Sequence, residues 1–160
     1  MKAIEFKGSA FQYNNAQELA KEDQNLLLQA KAALAASHSP YSQFRVGAAV
    51  LLKNGTIVLG SNQENASYPA GVCAERVAML AANAQFPGEP ILKVAITVKH
   101  HSKVVATPVG PCGICRQTFL EVESRQNHPI DIILQGEVGA VLIVPGISNL
   151  MPLSFTKSDL

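Results

Sequence analysis

Residues 45–60 read RVGAAVLLKNGTIVLG, and the architecture follows from how they pair. Arg45 to Lys53 is a run of strand length rich in apolar residues. Asn54-Gly55 is the dipeptide that tight hairpin turns favour, because both of its residues tolerate positive φ. Thr56 to Gly60 then supplies a return strand, so the stretch is expected to be a β-hairpin. On its N-terminal side, Asn15 to Ala36 keeps apolar residues at near-helical spacing (Leu19, Leu26, Leu27, Ala30, Ala33, Leu34) and predicts a helix. Ser37-His38-Ser39-Pro40 ends it, since the residue before a proline disfavours helical geometry. On the C-terminal side, a polar loop from Ser61 to Gly71 leads to a helix from about Cys73 to Gln85. A strand follows at Ile91 to Lys99, then a helix from about Gly113 to Arg125, and strands at Ile130 to Leu134 and Ala140 to Val144. Helices alternating with strands predict an α/β fold, with three α/β/α layers around a mixed sheet of roughly five strands.

Composition narrows the function classes. The chain has 160 residues, 48% of them hydrophobic and 16% charged, which is one domain's worth of folding sequence. Thirteen Lys and Arg against twelve Asp and Glu leave a net charge of +1. That lacks the basic excess of proteins living on nucleic acid, and aromatic residues, at 6%, are sparse for stacking on single strands. No apolar run approaches the ~20 residues that span a bilayer. The N-terminal MKAIEFKGSAF has no apolar core of a secretory signal, so the expected compartment is the reducing cytoplasm, where disulfides are uncommon. There are three cysteines, an odd number.

Cys112 and Cys115 form a C-x-x-C, which is a redox pair or half of a metal site. A redox pair leaves Cys73 idle, whereas a metal site uses all three thiols. Cys73 opens one predicted helix, and Cys112 and Cys115 straddle the start of another. Helix N-termini favour the thiolate, which is the form that binds zinc. None of the four histidines completes a tetrahedron. His100 and His101 are adjacent in extended chain and point to opposite faces, while His38 and His128 lie near prolines in loops. Three protein ligands with an open fourth position describe a catalytic zinc site rather than a structural one. Glu75, two residues after Cys73, is by itself a favourable first-turn acid. Beside such a metal it is also a candidate to move protons, because metal coordination lowers the pKa of a water molecule. A divalent ion with three thiolates carries net negative charge, and Arg76 is a candidate to offset it; an exposed helix arginine fits the spacing equally well.

Four blocks, taken together and in order, resemble the small cytidine deaminases of pyrimidine salvage, the homotetrameric kind with three cysteine ligands. They are Ser39-Pro40-Tyr41-Ser42-Gln43-Phe44-Arg45-Val46-Gly47-Ala48-Ala49, Asn62-Gln63-Glu64-Asn65-Ala66-Ser67-Tyr68-Pro69, Cys73-Ala74-Glu75-Arg76 and Pro111-Cys112-Gly113-Ile114-Cys115-Arg116-Gln117. Zinc nucleobase deaminases share such a signature, with a Glu as acid/base and three cysteines as a permitted ligand set. The resemblance runs from about residue 19 to the C-terminus. It implies one deaminase domain over residues 1–160, with residues 1–18 an extension of no assigned role. It further implies one Zn2+ per chain on Cys73, Cys112 and Cys115, and Glu75 as the proton carrier. Phe44 would stack on the pyrimidine, Asn62 and Glu64 would hold ribose hydroxyls, the Ala74 backbone would meet the base, and Arg76 would neutralise thiolate charge. Ala66, Tyr68 and Phe155 are similar to the positions that reach a neighbouring subunit's site. The expected activity is hydrolytic deamination of cytidine or 2′-deoxycytidine to the uridine product and ammonia.

The residues read alone leave alternatives open. Phe44 by spacing is ordinary core, and Asn62 with Glu64 is a polar loop whose two side chains share one side in extended backbone. A related aminohydrolase of another cytosine nucleoside, such as blasticidin S, a polynucleotide-editing deaminase and a non-catalytic zinc module are the competing functions. Two positions depart from the family pattern: Gly110 stands where serine is common before Pro-Cys, and Thr156-Lys157-Ser158-Asp159-Leu160 replaces the usual Gly-Pro-Glu-Asp-Leu ending.

Overall fold

The hairpin forms as the sequence predicts. In the computed structural model, which describes residues 1–160, β2 (Phe44–Leu52) and β3 (Ile57–Ser61) pair antiparallel with Ala49 opposite Leu59. Gly55 takes φ +85 at the turn, and the Asn54 side chain accepts from the Thr56 amide at 2.9 Å. On its other side β2 pairs antiparallel with β4 (Ile91–His100), and β4 runs parallel to β5 (Asp131–Gln135). A parallel pair needs a crossover, and α3 (Gly113–Gln126) supplies it. β6 (Val141–Pro145) returns antiparallel to β5.

The sheet is covered on both faces. Alternation along β2 sends Ala48, Val50 and Leu52 toward α2 (Ala74–Gln85) and α3, where they share a core with Ala78, Met79 and Phe119. Ala49 and Leu51 face α1 (Lys21–Ala33) and pack with Leu26, Leu27 and Ala30. This explains why the strand reads as a nearly continuous apolar run: a strand buried on both sides has no polar face. The three α/β/α layers are therefore those expected. No helix is long and apolar enough to cross a membrane.

Glycine sets how closely the helices approach. A Cβ on Gly60 would meet the Ala74 carbonyl and come within 2.6 Å of the Ala78 amide. α2 thus rests directly on β3, and this contact fixes the height of its first turn above the sheet.

Two expectations are corrected. The sheet has six strands in the order β1-β6-β5-β4-β2-β3, not roughly five. The extra strand, β1 (Phe11–Tyr13), comes from the N-terminal extension and pairs antiparallel with β6, Phe11 opposite Ile143. Three residues are too few to show strand periodicity, and β1 exists because it satisfies an otherwise open sheet edge. The long helix expected over 15–36 is also shorter. Ala16–Glu18 is a separate 3-10 turn capped by Asn15, and Leu34–Ala36 tightens into another after α1 ends. The other boundaries shift by no more than one residue.

Candidate active site

Two helix N-termini bring the three thiols together. Cys73 is the N-cap of α2 and Cys112 the N-cap of α3, both with extended backbone, while Cys115 lies in the first turn of α3 and is fully buried. The first helical hydrogen bonds start from the cysteines themselves, Val77 N–H to Cys73 C=O at 3.1 Å and Arg116 N–H to Cys112 C=O at 2.9 Å. Cys73 Sγ lies 4.0 Å from Cys112 Sγ, which lies 3.4 Å from Cys115 Sγ. All three sulfurs fall within 4.8 Å of one another and none forms a disulfide. Tetrahedral ligation with Zn–S of about 2.3 Å sets sulfurs about 3.8 Å apart, so the observed separations bracket what a zinc ion needs. The donor set is all sulfur, with no histidine or carboxylate in the cluster. The Cys73 thiol is lowered to about 7, first by the hydrogen bond from Cys115 and with help from the Arg76 charge. Cys115 is pushed up, first by that same bond to Cys73 and then by burial, so one of the pair ionises ahead of the other.

The thiols lie in the wall of a cleft of about 780 Å³ that also takes in Phe44, Asn62, Glu64, Tyr68 and Glu75. This is the size range of small-molecule pockets. Glu75, in the first turn of α2, is only 4% exposed yet lines the cleft. Phe44 belongs to neither core cluster. It opens β2 at the cleft wall, half-buried, with the His100 ring 6.3 Å away and tilted by 58°.

Asn62 and Glu64 both line the cleft, and each is already tied to the chain around it. Asn62 Nδ2 donates to Phe44 C=O at 2.9 Å. Its Oδ1 accepts from Val46 N–H at 2.8 Å and from Ser37 Oγ at 2.6 Å. Glu64 accepts from the Tyr41 and Ser42 amides at 2.9 and 3.2 Å and from the Ser42 hydroxyl. The Ser42 hydroxyl chiefly holds the Glu64 carboxyl below its ordinary value. Gln63 forms backbone bridges to His38 and Val72, which keep the segment extended and set the two side chains on one side.

The remaining candidates are placed as follows. Ala74 is fully buried in the core, leaving only its backbone near the site. Arg76 is half-buried and acts on Cys73 through its charge. Tyr68, 77% exposed, meets Tyr41 edge-on at 6.1 Å at the cleft mouth. Ala66 and Phe155 are exposed and lie off this cleft; the Phe155 carbonyl accepts from Gln117 Nε2 at 3.0 Å. A Cβ on Gly110 would find Arg116 Nη2 at 3.9 Å as its nearest neighbour, so the position has room for serine.

Sequence reasoning gave no role to Ser42 or Arg116. Ser42 Oγ accepts from the Phe44 amide at 3.0 Å while also reaching Glu64, and so sets the entry of β2 against the cleft. A serine two residues before a strand was the available signal. Arg116 donates to Pro111 C=O at 2.9 Å and to Leu150 C=O at 2.8 Å, pinning the turn that carries Cys112. Only the tertiary structure brings Leu150 there.

Comparison with known proteins agrees with this arrangement. The sequence profile described as the cytidine and deoxycytidylate deaminase zinc-binding region matches residues 20–127. A cytidine deaminase from Halalkalibacterium halodurans is 37% identical over 137 residues, which is 86% of this chain and 96% of that one. One from Sporosarcina psychrophila is 34% identical over 138 residues, 86% of this chain and 93% of its own. The crystal structure of cytidine deaminase from Burkholderia pseudomallei superposes with a TM-score of 0.71 at 35% identity, covering 82% of this chain and 97% of that one. The three converging thiols, a cluster that could hold a metal ion, and the buried Glu75 all fall inside the matched zinc-binding region, and the chain belongs to the cytidine deaminase family.

Proposed function

We propose that the protein hydrolytically deaminates cytidine and 2′-deoxycytidine, adding one water and releasing ammonia to leave uridine or 2′-deoxyuridine. The observation that carries this reading is Glu75, buried beside three thiols and opening into a cleft that holds Asn62 and Glu64. Cys73, Cys112 and Cys115 would hold one zinc ion per chain, which would supply Lewis acidity toward a water molecule near neutral pH. Glu75 accepts the proton that water gives up and delivers it to ring N3, which makes C4 electrophilic. The water oxygen bonds to C4, and Glu75 then takes the second proton from the hydroxyl so formed and passes it to the exocyclic amino group, which departs as ammonia as the C4 carbonyl forms. Phe44 stacks on the pyrimidine and the Ala74 backbone meets its edge. Asn62 and Glu64 suit ribose hydroxyls, since an amide donates while a carboxylate accepts. Arg76 offsets the negative charge of the thiolates.

The functional unit in this reading is a homotetramer of single-domain chains acting in cytoplasmic pyrimidine salvage. Support comes from Ala66 and Phe155, which are exposed and off their own cleft, as residues that complete another subunit's site would be. Near-neutral charge supports a small nucleoside over a polynucleotide. The test is zinc quantification with ultraviolet assays on cytidine, deoxycytidine, free cytosine and blasticidin S. Zinc at one per chain with turnover of both nucleosides is expected; turnover of blasticidin S alone would overturn the reading. Sedimentation of a fully active monomer would overturn the shared sites.

A further inference from the structure

Residues 37–45 divide between two cavities. Tyr41, Ser42 and Phe44 line the cleft already described, whereas Ser37, His38, Ser39, Gln43 and Arg45 line a second hollow of about 340 Å³, joined there by His101. Pro40 is the one apolar side chain in its wall. Its ionisable groups are one guanidinium and two imidazoles, with no carboxylate among them.

The charge around it is unbalanced. Arg45 on β2 lies directly opposite Lys99 on β4, and like charges facing each other across a sheet oppose pairing. Lys99 is relieved by Glu137 at 3.0 Å, while Arg45 has no carboxylate partner. Glu64, on the far side of the loop and held by the Tyr41 and Ser42 amides, interacts electrostatically with His38, so the charge left without a carboxylate partner is that of Arg45. The rim also carries backbone strain. Gln43 sits at φ +55, held by its own amide donating to Ser39 C=O at 3.0 Å and by the His101 amide donating to its carbonyl at 3.2 Å. Such conformations in residues other than glycine persist where the surroundings impose them, and they concentrate at ligand sites.

We propose that this hollow is an oxyanion site that takes a phosphoryl group, as inorganic phosphate or as a nucleotide ester, and that its occupancy tightens nucleoside binding in the cleft. Arg45 offers a planar fork of donors matched to phosphate oxygens, and the imidazoles of His38 and His101 add N–H donors. The hollow's wall is bonded directly to the residues assigned to the ribose. Ser37 Oγ donates to Asn62 Oδ1, the His38 amide donates to Asn62 C=O at 3.0 Å, and the Glu64 amide donates to His38 C=O at 2.8 Å. An anion bound by residues 37–45 therefore acts on Asn62, Glu64 and Phe44 through these bonds. The binding claim stands independently of the reaction; the coupling claim rests on the proposed nucleoside activity.

The zinc-loaded enzyme is titrated calorimetrically with inorganic phosphate and with adenosine 5′-monophosphate, ionic strength being held constant with potassium chloride. Wild type is expected to bind with Kd of about 1 mM or tighter, and Arg45→Gln to weaken binding by about tenfold or more. Arg45→Lys, which keeps the charge without the fork, should fall between them. Arg45→Gln is expected to keep zinc content and basal turnover, which shows that it folds. Tighter binding of the monophosphate than of free phosphate identifies a nucleotide as the occupant; equal binding identifies the free anion. No binding to wild type, or equal binding to Arg45→Gln, overturns the site. Saturating phosphate should lower the cytidine KM of wild type at least about twofold with kcat unchanged, and leave Arg45→Gln unaffected. An unmoved KM despite intact binding overturns the coupling. A protein that deaminates no cytosine compound still reports on the site through calorimetry.

Discussion

At the residue scale, Glu75 and Asn62 show how much identity alone conveys. Glu75 was readable from its distance to Cys73, because the first turn of a helix places residues i and i+2 near the same end. Glu75→Gln keeps the shape and removes the ability to carry a proton. Turnover is expected to fall by about 10²–10⁴-fold with zinc content still one per chain; loss of zinc instead would assign Glu75 to holding the thiols in place. Asn62 was readable only as a polar residue suited to a ligand. The structure shows that it also ties Ser37, Phe44 and Val46 together, all through hydrogen bonds to its amide. At 9% exposure, truncation strands the Val46 amide and Phe44 carbonyl. Asn62→Ala is therefore expected to cost about 1–3 kcal/mol of stability in a denaturant titration, as well as raising KM. Unchanged stability would mean water replaces the amide. These bonds link residues up to 25 positions apart, and no local pattern reports them.

At the scale of elements, the helices position the chemistry because the sheet beneath them is small-surfaced. Gly60→Ala places a methyl group against the backbone of α2, which carries Cys73 as its cap and Glu75 in its first turn. Zinc affinity is expected to drop together with stability. Gly55→Ala makes the contrast: its φ is +85 with open space around it, so it should cost about 1 kcal/mol and leave zinc binding intact. Equal effects of the two on zinc would detach the site from the β3–α2 contact. On α3, Glu123 Oε1 accepts from the amides of Ile130 and Ile147 at 2.8 and 3.0 Å, joining the helix to β5 and to the segment after β6. Burial raises its carboxyl above the ordinary 4.5, partly opposed by those two amides. The native state thus holds the proton more tightly than the unfolded chain. The cost of burying the charge is full above the folded value and is relieved as pH falls through it. Glu123→Gln keeps the acceptor without the charge, so its melting temperature should exceed wild type at pH 7, with the gap closing as pH falls toward 4.5. A gap that widens on acidification would reverse the assignment. Helix and strand identity were legible from periodicity, whereas the 3-10 turns flanking α1 were not, because short turns share their composition with helix ends.

At the scale of the whole molecule, the thiol cluster joins two helices that the chain separates by β4 and a loop. Chelation of the zinc is expected to lower the melting temperature, and added zinc to restore it, because binding energy at a site assembled only on folding is folding energy. An unchanged melting temperature would mean the α2–α3 contact holds without the ion. The sequence by itself determined the layered α/β plan and the hairpin, and it singled out Cys73, Cys112, Cys115 and Glu75, which the fold gathers at one cleft. Those features rest on local signals: side-chain period, turn chemistry and short spacings such as C-x-x-C, whereas the approach of Cys73 to Cys112, 39 residues away, is a product of packing. Tertiary structure alone decided that residues 11–13 become a sixth strand, that Arg116 reaches Leu150, and that one loop walls two cavities. Those outcomes depend on which distant backbone donors and acceptors are left open once the sheet has assembled, and that is a property of the packed molecule rather than of any segment of it.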